Sequence, residues 1–237
     1  MAKDITVIIP ALNEEKNIEV AIDSAIAAIN GCVDDYEIIV INDGSRDRTG
    51  PLAEAKAQSN PKIKVYHNDG NKGYGYTFTR GIKSATKSYI SAYPGDNDIS
   101  GSSFRDLMEE IGKEDLVITY MADMKNRTFL RRLLSRSFVA LMNGLFGLKL
   151  RYYNGLFIFK RSIVQSMPVK SNSFAIIAEY IVRMIKSGCS YREICFVHTG
   201  RKAGKSTALR PRNVIKVIKT IGILVKDFHF TSDYQKK

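Results

Sequence analysis

Short apolar runs alternate with amphipathic segments along the first hundred residues, and this alternation restricts the possible folds more than any other feature. Continuous apolar runs of this length are typical of strands buried on both faces of a sheet. Apolar residues at every third or fourth position predict helices between them. The spacing predicts βαβ units, and hence an α/β fold with a mostly parallel central sheet flanked by helices. The predicted strands are residues 5–10, 37–41, 63–67 and 89–93, and the predicted helices are residues 13–29, 48–59 and 76–86.

The second half of the chain adds further elements and shows neither an internal repeat nor a low-complexity linker. We therefore expect one domain with two halves, residues 1–124 and 125–237. The predicted helices of this region are residues 104–111, 128–146, 174–186 and 214–228, and the predicted strands are residues 116–120, 155–159 and 194–198.

The two halves differ strongly in charge. Residues 1–124 hold 13 Lys and Arg against 20 Asp and Glu, a net charge of −7. Residues 125–237 hold 23 Lys and Arg against 4 Asp and Glu, a net charge of +19. The basic half therefore suits an anionic partner such as a lipid head group, a phosphate or a nucleic acid.

The composition also bears on the compartment. No signal peptide is recognisable, and the longest uncharged apolar stretch, residues 137–148, is shorter than the roughly 20 residues that span a bilayer. Cys32, Cys189 and Cys195 have no metal-binding or redox spacing. We expect a cytoplasmic protein.

Acidic and amide side chains follow two of the predicted strands. Asn42 and Asp43 come directly after the second strand, and Asp96 and Asp98 follow the fourth. In an open α/β sheet, ligands bind outside the carboxyl ends of the strands. Carboxylates are the oxygen ligands that Mg²⁺ prefers, and the ion in turn holds phosphates. The sequence therefore predicts a metal and diphosphate site at this edge.

The chain resembles the family 2 glycosyltransferases of GT-A fold. The resemblance rests on residues 7–15, 37–45 and 96–98, which read VIIPALNEE, EIIVINDGS and DND. Four later features resemble more specifically the dolichyl- and polyprenyl-phosphate sugar synthases. They are RRLLSR at residues 131–136, NG at 154–155 before an apolar strand, Glu179 in a predicted helix and RKAGKS at 201–206. The resemblance covers roughly residues 5–210 and implies a GT-A-like, Rossmann-like fold.

For the first half, the resemblance implies a site for a nucleoside-diphosphate sugar such as a UDP- or GDP-sugar. Asp43 would contact the base or ribose, and Asp96 the ribose or the water shell of the metal. Asp98 would ligate Mg²⁺ or Mn²⁺. The alternatives are an Asx turn at Asp43 and an exposed acidic turn at residues 96–98. The remaining residues expected at the donor are Pro10, Ala11, Asn13, Glu14, Lys72 and Gly73, although a plain turn at residues 72–75 is equally compatible.

For the second half, the resemblance implies an acceptor phosphate bound by Arg131 and Arg136, with a solvated basic helix face as the alternative. Arg201 would belong to a loop that closes over the diphosphate and the acceptor. Lys205 would replace the family's usual lysine, because Thr207 stands in that position. The chain also departs from the family at Asn42, where an acid is usual, and at Tyr152-Tyr153, where an acid usually precedes the Asn-Gly pair.

Glu179 leaves two interpretations open, because it is the one carboxylate between Asp123 and Glu193. It is either a general base for an acceptor hydroxyl or the partner of an arginine in a salt bridge.

The sequence as a whole therefore predicts a metal-dependent inverting glycosyltransferase. The expected acceptor is a polyprenyl phosphate, and the expected place is the cytoplasmic face of an anionic membrane, without nucleic acid. One alternative is transfer to a sugar hydroxyl of a lipid-linked or polysaccharide acceptor with Glu179 as base. A remote alternative is a non-catalytic nucleic-acid-binding protein, given a sequence pI of about 9.5.

Overall fold

A computed structural model describes residues 3–121, 129–196 and 211–230. Within these residues, strands and helices alternate along the first half as the hydrophobic pattern predicts. The strands are β1 (Asp4–Ala11), β2 (Asp35–Asn42), β3 (Ile63–His67), β4 (Tyr89–Ala92), β5 (Leu116–Met121), β6 (Phe157–Lys160) and β7 (Tyr191–Phe196). The helices are α1 (Ile18–Ile29), α2 (Thr49–Ser59), α3 (Tyr74–Ser84), α4 (Gly101–Met108), α5 (Phe129–Phe146), α6 (Arg161–Val164), α7 (Ile176–Lys186) and α8 (Pro211–Phe230).

The described strands form one seven-stranded sheet in the order β3-β2-β1-β4-β6-β5-β7. β6 runs antiparallel to both of its neighbours, and the other pairings are parallel. The prediction of an α/β fold with a mostly parallel sheet is therefore confirmed. Because β6 is reversed, its first residue lies at the same edge as the carboxyl ends of β4 and β5.

Two apolar cores cover the two faces of the sheet. Successive residues of a buried strand point to opposite faces, so Ile5, Val7 and Ile9 of β1 enter one core while Ile8 enters the other. The first core packs α1 and α4 on the sheet, and the second packs α3 and α7. Helices α5 and α8 join the second core through few buried side chains, Met142 and Phe146 on α5 and Leu224 on α8.

The structure differs from the predicted elements at several places, and three of the differences have a physical reason. α1 begins at Ile18 rather than at residue 13, because Asn13 adopts a left-handed conformation with φ of 55° and its side chain joins a neighbouring loop. β7 begins at Tyr191 rather than at residue 194. The sequence pattern missed its first residues because they are exposed and lack an apolar pattern. The short helix α6 carries only one buried residue, Val164, which is too little for a periodic signal.

Candidate active site

The loops that follow the first four strands meet at the carboxyl edge of the sheet. The loop after β1 contacts the loop after β2 through reciprocal hydrogen bonds. The Asn13 N–H donates to Ser45 Oγ at 2.9 Å, and the Arg46 N–H donates to Asn13 Oδ1 at 2.9 Å. The Glu14 N–H donates to Thr49 Oγ1 at 2.7 Å. These contacts give Asn13 and Glu14, both expected at the donor, a role in shaping the two loops.

Asp43 organises the loop after β3. Its Oδ1 accepts from Asn68 Nδ2 at 2.7 Å and from the Lys72 N–H at 2.9 Å, and its Oδ2 accepts from the Gly73 N–H at 2.9 Å. The side chain is buried, with 5% of its surface exposed. Asp43 therefore holds the loop that leads into α3, and the Lys72 and Gly73 N–H groups bond to its carboxylate. The donor contacts expected of Asp43, Lys72 and Gly73 stay predictions.

An open cleft of about 500 Å³ lies between the loops after β2 and β3. Asn42 forms its floor: Asn42 Nδ2 lies 3.0 Å from His67 Nδ1, and Asn42 Oδ1 accepts from the Ser45 N–H at 3.1 Å. His67 Nε2 lies 2.9 Å from Glu54 Oε1 on α2. The position where the family has an acid therefore holds an amide bonded to a histidine. The lining residues are Asn42, Gly44, Ser45, Arg46, His67, Asn68, Asp69, Gly70 and Asn71.

The acidic turn follows β4 and lies against the end of β1. A side chain at Gly95 would place its Cβ 2.7 Å from the Pro10 carbonyl oxygen, so only glycine permits this approach. The Asn97 N–H donates to the Pro94 carbonyl at 3.0 Å, and Asn97 is left-handed with φ of 51°. Asn tolerates this conformation better than most residues. The turn therefore carries Asp96 and Asp98 to the edge where Pro10 and Ala11 end β1.

Tyr93 supports the acidic turn through a hydrogen bond. Its hydroxyl donates to Asn97 Oδ1 at 2.8 Å, and its ring packs edge-on against Phe104 at 5.0 Å. Burial raises the pKa of the Tyr93 hydroxyl, and the Asp98 carboxylate contributes in the same direction. The hydroxyl therefore stays protonated, which keeps this hydrogen bond intact at neutral pH.

Asp96 and Asp98, both half-buried, are the residues with the chemistry to hold a divalent cation. Among the described residues, no group of three or more His, Cys, Asp or Glu side chains converges on one point. Two carboxylates alone fit Mg²⁺ or Mn²⁺ bound together with substrate phosphates, because Mg²⁺ keeps several waters and takes its other ligands from the diphosphate. The same set does not fit a closed structural metal site.

Glu179 lies in the interior of the domain, and the base role expected of it stays a prediction that this burial does not support. Its carboxylate is fully buried and accepts from the Lys170 N–H at 3.1 Å and the Ser171 N–H at 2.9 Å. It also pairs with the guanidinium of Arg183 at 2.8 Å. Arg183 in turn bonds Asp227 of α8 at 2.7 Å. Glu179 is therefore a partner in a buried ion pair, the alternative that the sequence left open.

The structure describes only some of the basic residues expected at the acceptor. Arg131 and Arg136 lie exposed on α5, and Arg136 lines a pocket of about 280 Å³ that Arg151 also lines. Arg201 and Lys205 lie outside the described residues. The sequence interpretation missed Arg151. The signal that could have identified it is its position directly before Tyr152-Tyr153, where the chain departs from the family.

In the part of the chain that the structure describes, no helix combines the length and the apolar character needed to cross a bilayer.

The chain matches the family model "Glycosyl transferase family 2" over residues 6–177 and therefore belongs to this family. It is a glycosyltransferase, so the alternative of a non-catalytic nucleic-acid-binding protein is wrong.

Two characterised relatives match most of the chain. A dolichol-phosphate mannosyltransferase of Pyrococcus furiosus is 28% identical over 235 residues, which are 94% of this chain and 64% of that protein. A dodecaprenyl-phosphate galacturonate synthase of Rhizobium johnstonii is 22% identical over 209 residues, 86% of this chain and 61% of that protein. The chain thus spans less than two thirds of the length of either relative.

Among solved structures, glucosyl-3-phosphoglycerate synthase of Mycobacterium tuberculosis has the same fold. Its complex with UDP superposes with a TM-score of 0.70 at 20% identity, covering 94% of this chain and 80% of that one. A complex with Mn²⁺, UDP and glucosyl-3-phosphoglycerate gives a TM-score of 0.65 at 22% identity, with 92% and 78% covered. The GT-A fold is thereby confirmed.

Proposed function

We propose that the protein transfers a sugar from a nucleoside-diphosphate donor to a polyprenyl phosphate, with inversion at the anomeric carbon and with Mg²⁺ or Mn²⁺. The observation that carries this proposal is the acidic turn with Asp96 and Asp98, which shares the carboxyl edge with the cleft after β2 and β3. The relatives named for polyprenyl-phosphate sugar transfer and the fold neighbour with UDP and Mn²⁺ support it.

In this proposal residues 1–124 bind the donor. The cleft takes the nucleoside, and Pro10, Ala11, Asn13 and Glu14 lie in the neighbouring segment after β1, where Asn13 bonds to Ser45 and Arg46 of the cleft. Asp43 keeps Lys72 and Gly73 in place beneath it. Asp96 contacts the ribose or the metal's water, and Asp98 ligates the metal, which leaves the diphosphate between the acidic turn and the basic half.

Asp96 and Asp98 would hold a divalent ion, whose chemistry at this site is to neutralise charge that develops on the leaving diphosphate. The transfer itself is a single displacement. An oxygen of the acceptor phosphate forms the new bond to the anomeric carbon, and the bond to the donor diphosphate breaks. The electron pair leaves with the nucleoside diphosphate, where Arg201 would add positive charge.

A phosphate acceptor removes the need for a general base. A phosphomonoester is largely dianionic at neutral pH, since its second pKa is near 6. It therefore attacks without losing a proton to the protein. This agrees with the burial of Glu179 in an ion pair.

The acceptor half, residues 125–237, would lie on the cytoplasmic face of an anionic membrane. Exposed leucines and arginines alternate along α5, and exposed lysines line α8. Helices that combine apolar and basic residues bind such surfaces through both terms.

A transfer assay tests the proposal. The purified protein is incubated with Mn²⁺ or Mg²⁺, a panel of labelled UDP- and GDP-sugars, and a short-chain polyprenyl phosphate. We expect an acid-labile, solvent-extractable product from one donor. The rate of its formation should fall by at least about 100-fold in Asp98→Asn, since the substitution removes a metal ligand. Asp106→Asn, an exposed carboxylate on α4, is the matched control. A product formed equally well by Asp98→Asn, or without metal, would refute the metal mechanism.

A further inference from the structure

The pocket beside α5 contains an arginine that the family motifs do not assign. Arg151 lines it together with Ser135 and Arg136, and Val139 and Ala140 form its apolar wall. Arg136 comes from the helix, whereas Arg151 comes from the segment that leads into β6. Two cations from different elements therefore line one small volume, where a bound anion would offset their mutual repulsion.

Asn143 holds the Arg151 segment against α5. Its Nδ2 donates to the Leu150 carbonyl at 2.9 Å, and its Oδ1 accepts from the Leu150 N–H at 3.2 Å. The same oxygen accepts from the Tyr153 hydroxyl at 2.8 Å. Three hydrogen bonds from one side chain thus bracket Arg151 on both sides in the sequence. The position of its backbone relative to Arg136 is therefore set by the fold.

Tyr153 completes this clamp from inside the core. Its side chain is fully buried and packs edge-on against Phe138 of α5 at 6.0 Å. Burial raises the pKa of the Tyr153 hydroxyl above its usual range, and the negative charge of Glu193 acts in the same direction. The hydroxyl therefore remains a donor to Asn143. The tyrosine pair that departs from the family pattern serves here to fix the preceding arginine.

The guanidinium of Arg151 is oriented by an aromatic ring and is not in a close ion pair. It stacks on the Tyr120 ring, with its central carbon 4.4 Å from the ring centroid. Its Nε lies 4.0 Å from Glu193 Oε2, beyond hydrogen-bond distance, and the side chain is 64% exposed. Glu193 instead accepts from the Arg151 backbone N–H, at 3.1 Å to each oxygen. Stacking leaves the in-plane N–H donors of the guanidinium available to a ligand.

The pocket lies at the same edge of the sheet as the acidic turn. Tyr120 belongs to the carboxyl end of β5, and Asp96 and Asp98 follow β4, which is two strands away in the order β4-β6-β5. Neighbouring strands are about 4.8 Å apart, so the two strand ends are separated by about 10 Å. The pocket and the acidic turn thus lie at one edge of the sheet, two strands apart.

We propose that Arg151, Arg136 and Ser135 form the binding site for a phosphomonoester, the acceptor group of the reaction, with Asn143 and Tyr153 as positioning residues. This inference rests on the proposed function. Two guanidinium groups and a hydroxyl match the oxygens of a phosphate dianion, and planar guanidinium donors bind such oxygens in pairs. The phosphate comes either from a lipid or from a soluble phosphorylated acid. The exposed leucines of α5 beside the pocket favour the lipid.

Transfer kinetics with two acceptors test the site, with farnesyl phosphate as the lipid and 3-phosphoglyceric acid as the soluble phosphate. We expect Arg151→Ala to raise the acceptor KM by about tenfold or more, which corresponds to one lost charge-assisted pair of hydrogen bonds. The Kd of the labelled sugar nucleotide with Mn²⁺ should not change. Arg151→Lys should recover only part of the loss, because a lysine keeps the charge but not the planar donors.

Arg192→Ala is the matched control, since it removes the same charge from a surface ion pair on β7. Its acceptor KM should stay within about twofold of the parent value, because surface ion pairs contribute little. Asn143→Leu should raise the acceptor KM as Arg151→Ala does. The acceptor whose KM responds to Arg151→Ala identifies the source of the phosphate.

The outcomes separate this inference from the proposed function. If farnesyl phosphate is a substrate and Arg151→Ala leaves both acceptor KM values unchanged, the phosphate site is refuted while the proposed function stands. If neither phosphate is a substrate but the donor still binds, the proposed function fails. Direct binding of inorganic phosphate then tests the pocket by itself. Phosphate binding that is lost in Arg151→Ala supports the pocket, and no binding to the parent protein refutes it.

Discussion

At the scale of single residues, glycine decides how closely the loops of the donor edge approach one another. Gly44 has φ of 71°, and a Cβ there would lie 2.4 Å from the Gly70 Cα. The two loops that border the cleft therefore touch backbone to backbone. Gly73 also has a positive φ, of 89°, but a Cβ there would meet no atom within 4 Å.

We predict that Gly44→Ala lowers the free energy of unfolding by more than Gly73→Ala and weakens donor binding. Gly73→Ala should cost about 1–3 kcal/mol, because φ of 89° with ψ of 161° lies in a region that is essentially restricted to glycine. Gly44→Ala combines a positive φ with a clash against backbone that no rotamer relieves, so we expect at least about 2 kcal/mol more. Urea unfolding and sugar-nucleotide binding measure the two effects. Equal losses in the two variants would contradict the close approach of the loops.

At the scale of elements, α8 is held to the domain by buried charges as well as by apolar contact. Asp227 of α8 bonds the buried Arg183 at 2.7 Å and the exposed Lys170 at 2.8 Å. The hydroxyl of Thr220 lies 2.8 Å from Ser171 Oγ, while Leu224 is the fully buried apolar residue of the helix. Removing one partner of such a pair leaves an uncompensated buried charge.

We predict that Asp227→Asn lowers the free energy of unfolding by about 3 kcal/mol at pH 7, because Arg183 loses one of its two carboxylate partners. Asp23→Asn removes a carboxylate from an exposed pair with Lys56 and should cost less than about 1 kcal/mol. Denaturant unfolding compares the two. A loss at Asp227 no larger than that at Asp23 would show that the buried pair does not hold α8.

The same pair gives a pH dependence. Burial alone acts to raise the pKa of Asp227, but Lys170 and Arg183 outweigh it and hold the pKa below its usual value. A carboxyl with a lowered pKa stabilises the folded state fully above its unfolded pKa of about 3.9, and this contribution is lost as the pH falls through the folded pKa. The stability difference between the parent and Asp227→Asn should therefore be constant from pH 5 to 7 and shrink below about pH 4. A difference that persists unchanged at acidic pH would contradict this assignment.

At the scale of the whole molecule, charge and exposed apolar surface coincide on one side of the sheet. Helices α5 and α8 belong to the second core, opposite to α1. They expose large apolar side chains beside arginines and lysines, and single exposed apolar residues are common but a row of them marks a contact surface. The apolar residues are Phe129, Leu130, Leu133, Leu134 and Leu141 on α5, and Val214, Ile215 and Ile218 on α8.

We predict binding to vesicles that contain anionic lipid, weakened by salt. The double substitution Leu130→Ser and Leu133→Ser should reduce the bound fraction by about tenfold, because it removes apolar burial in the membrane interface. Val20→Ser is the control on the opposite face, since Val20 lies on α1 and 53% of its surface is exposed. Flotation at low and high salt measures the effect. Failure of the parent protein to bind anionic vesicles at low salt, or equal loss in Val20→Ser, would refute this docking face.

Much of the fold follows from local pattern, because a strand buried on both faces must be apolar throughout. The predicted bounds of β3 agree with the structure, and those of β5 and α2 differ at one end by a single residue. The site was harder to predict. Asp96 and Asp98 lie at the expected edge, but the metal and donor roles assigned to them stay predictions. Asp43 and Glu179 form hydrogen bonds within the protein, and the donor and base roles expected of them stay predictions.

The sequence by itself determined the α/β class, the family and the edge of the sheet where the acidic turn lies, because these depend on periodicity and on residues that are neighbours in the chain. Only the tertiary structure decided which carboxylates remain available and which cations meet. Glu179 and Asp227 are 48 positions apart and share Arg183, and Arg136 and Arg151 meet because Asn143 ties two segments together. The Glu179–Arg183 pair is local, since the two residues are one turn apart on α7. The contact of Arg183 with Asp227 and the common pocket of Arg136 and Arg151 depend on packing between distant segments, which no local pattern encodes.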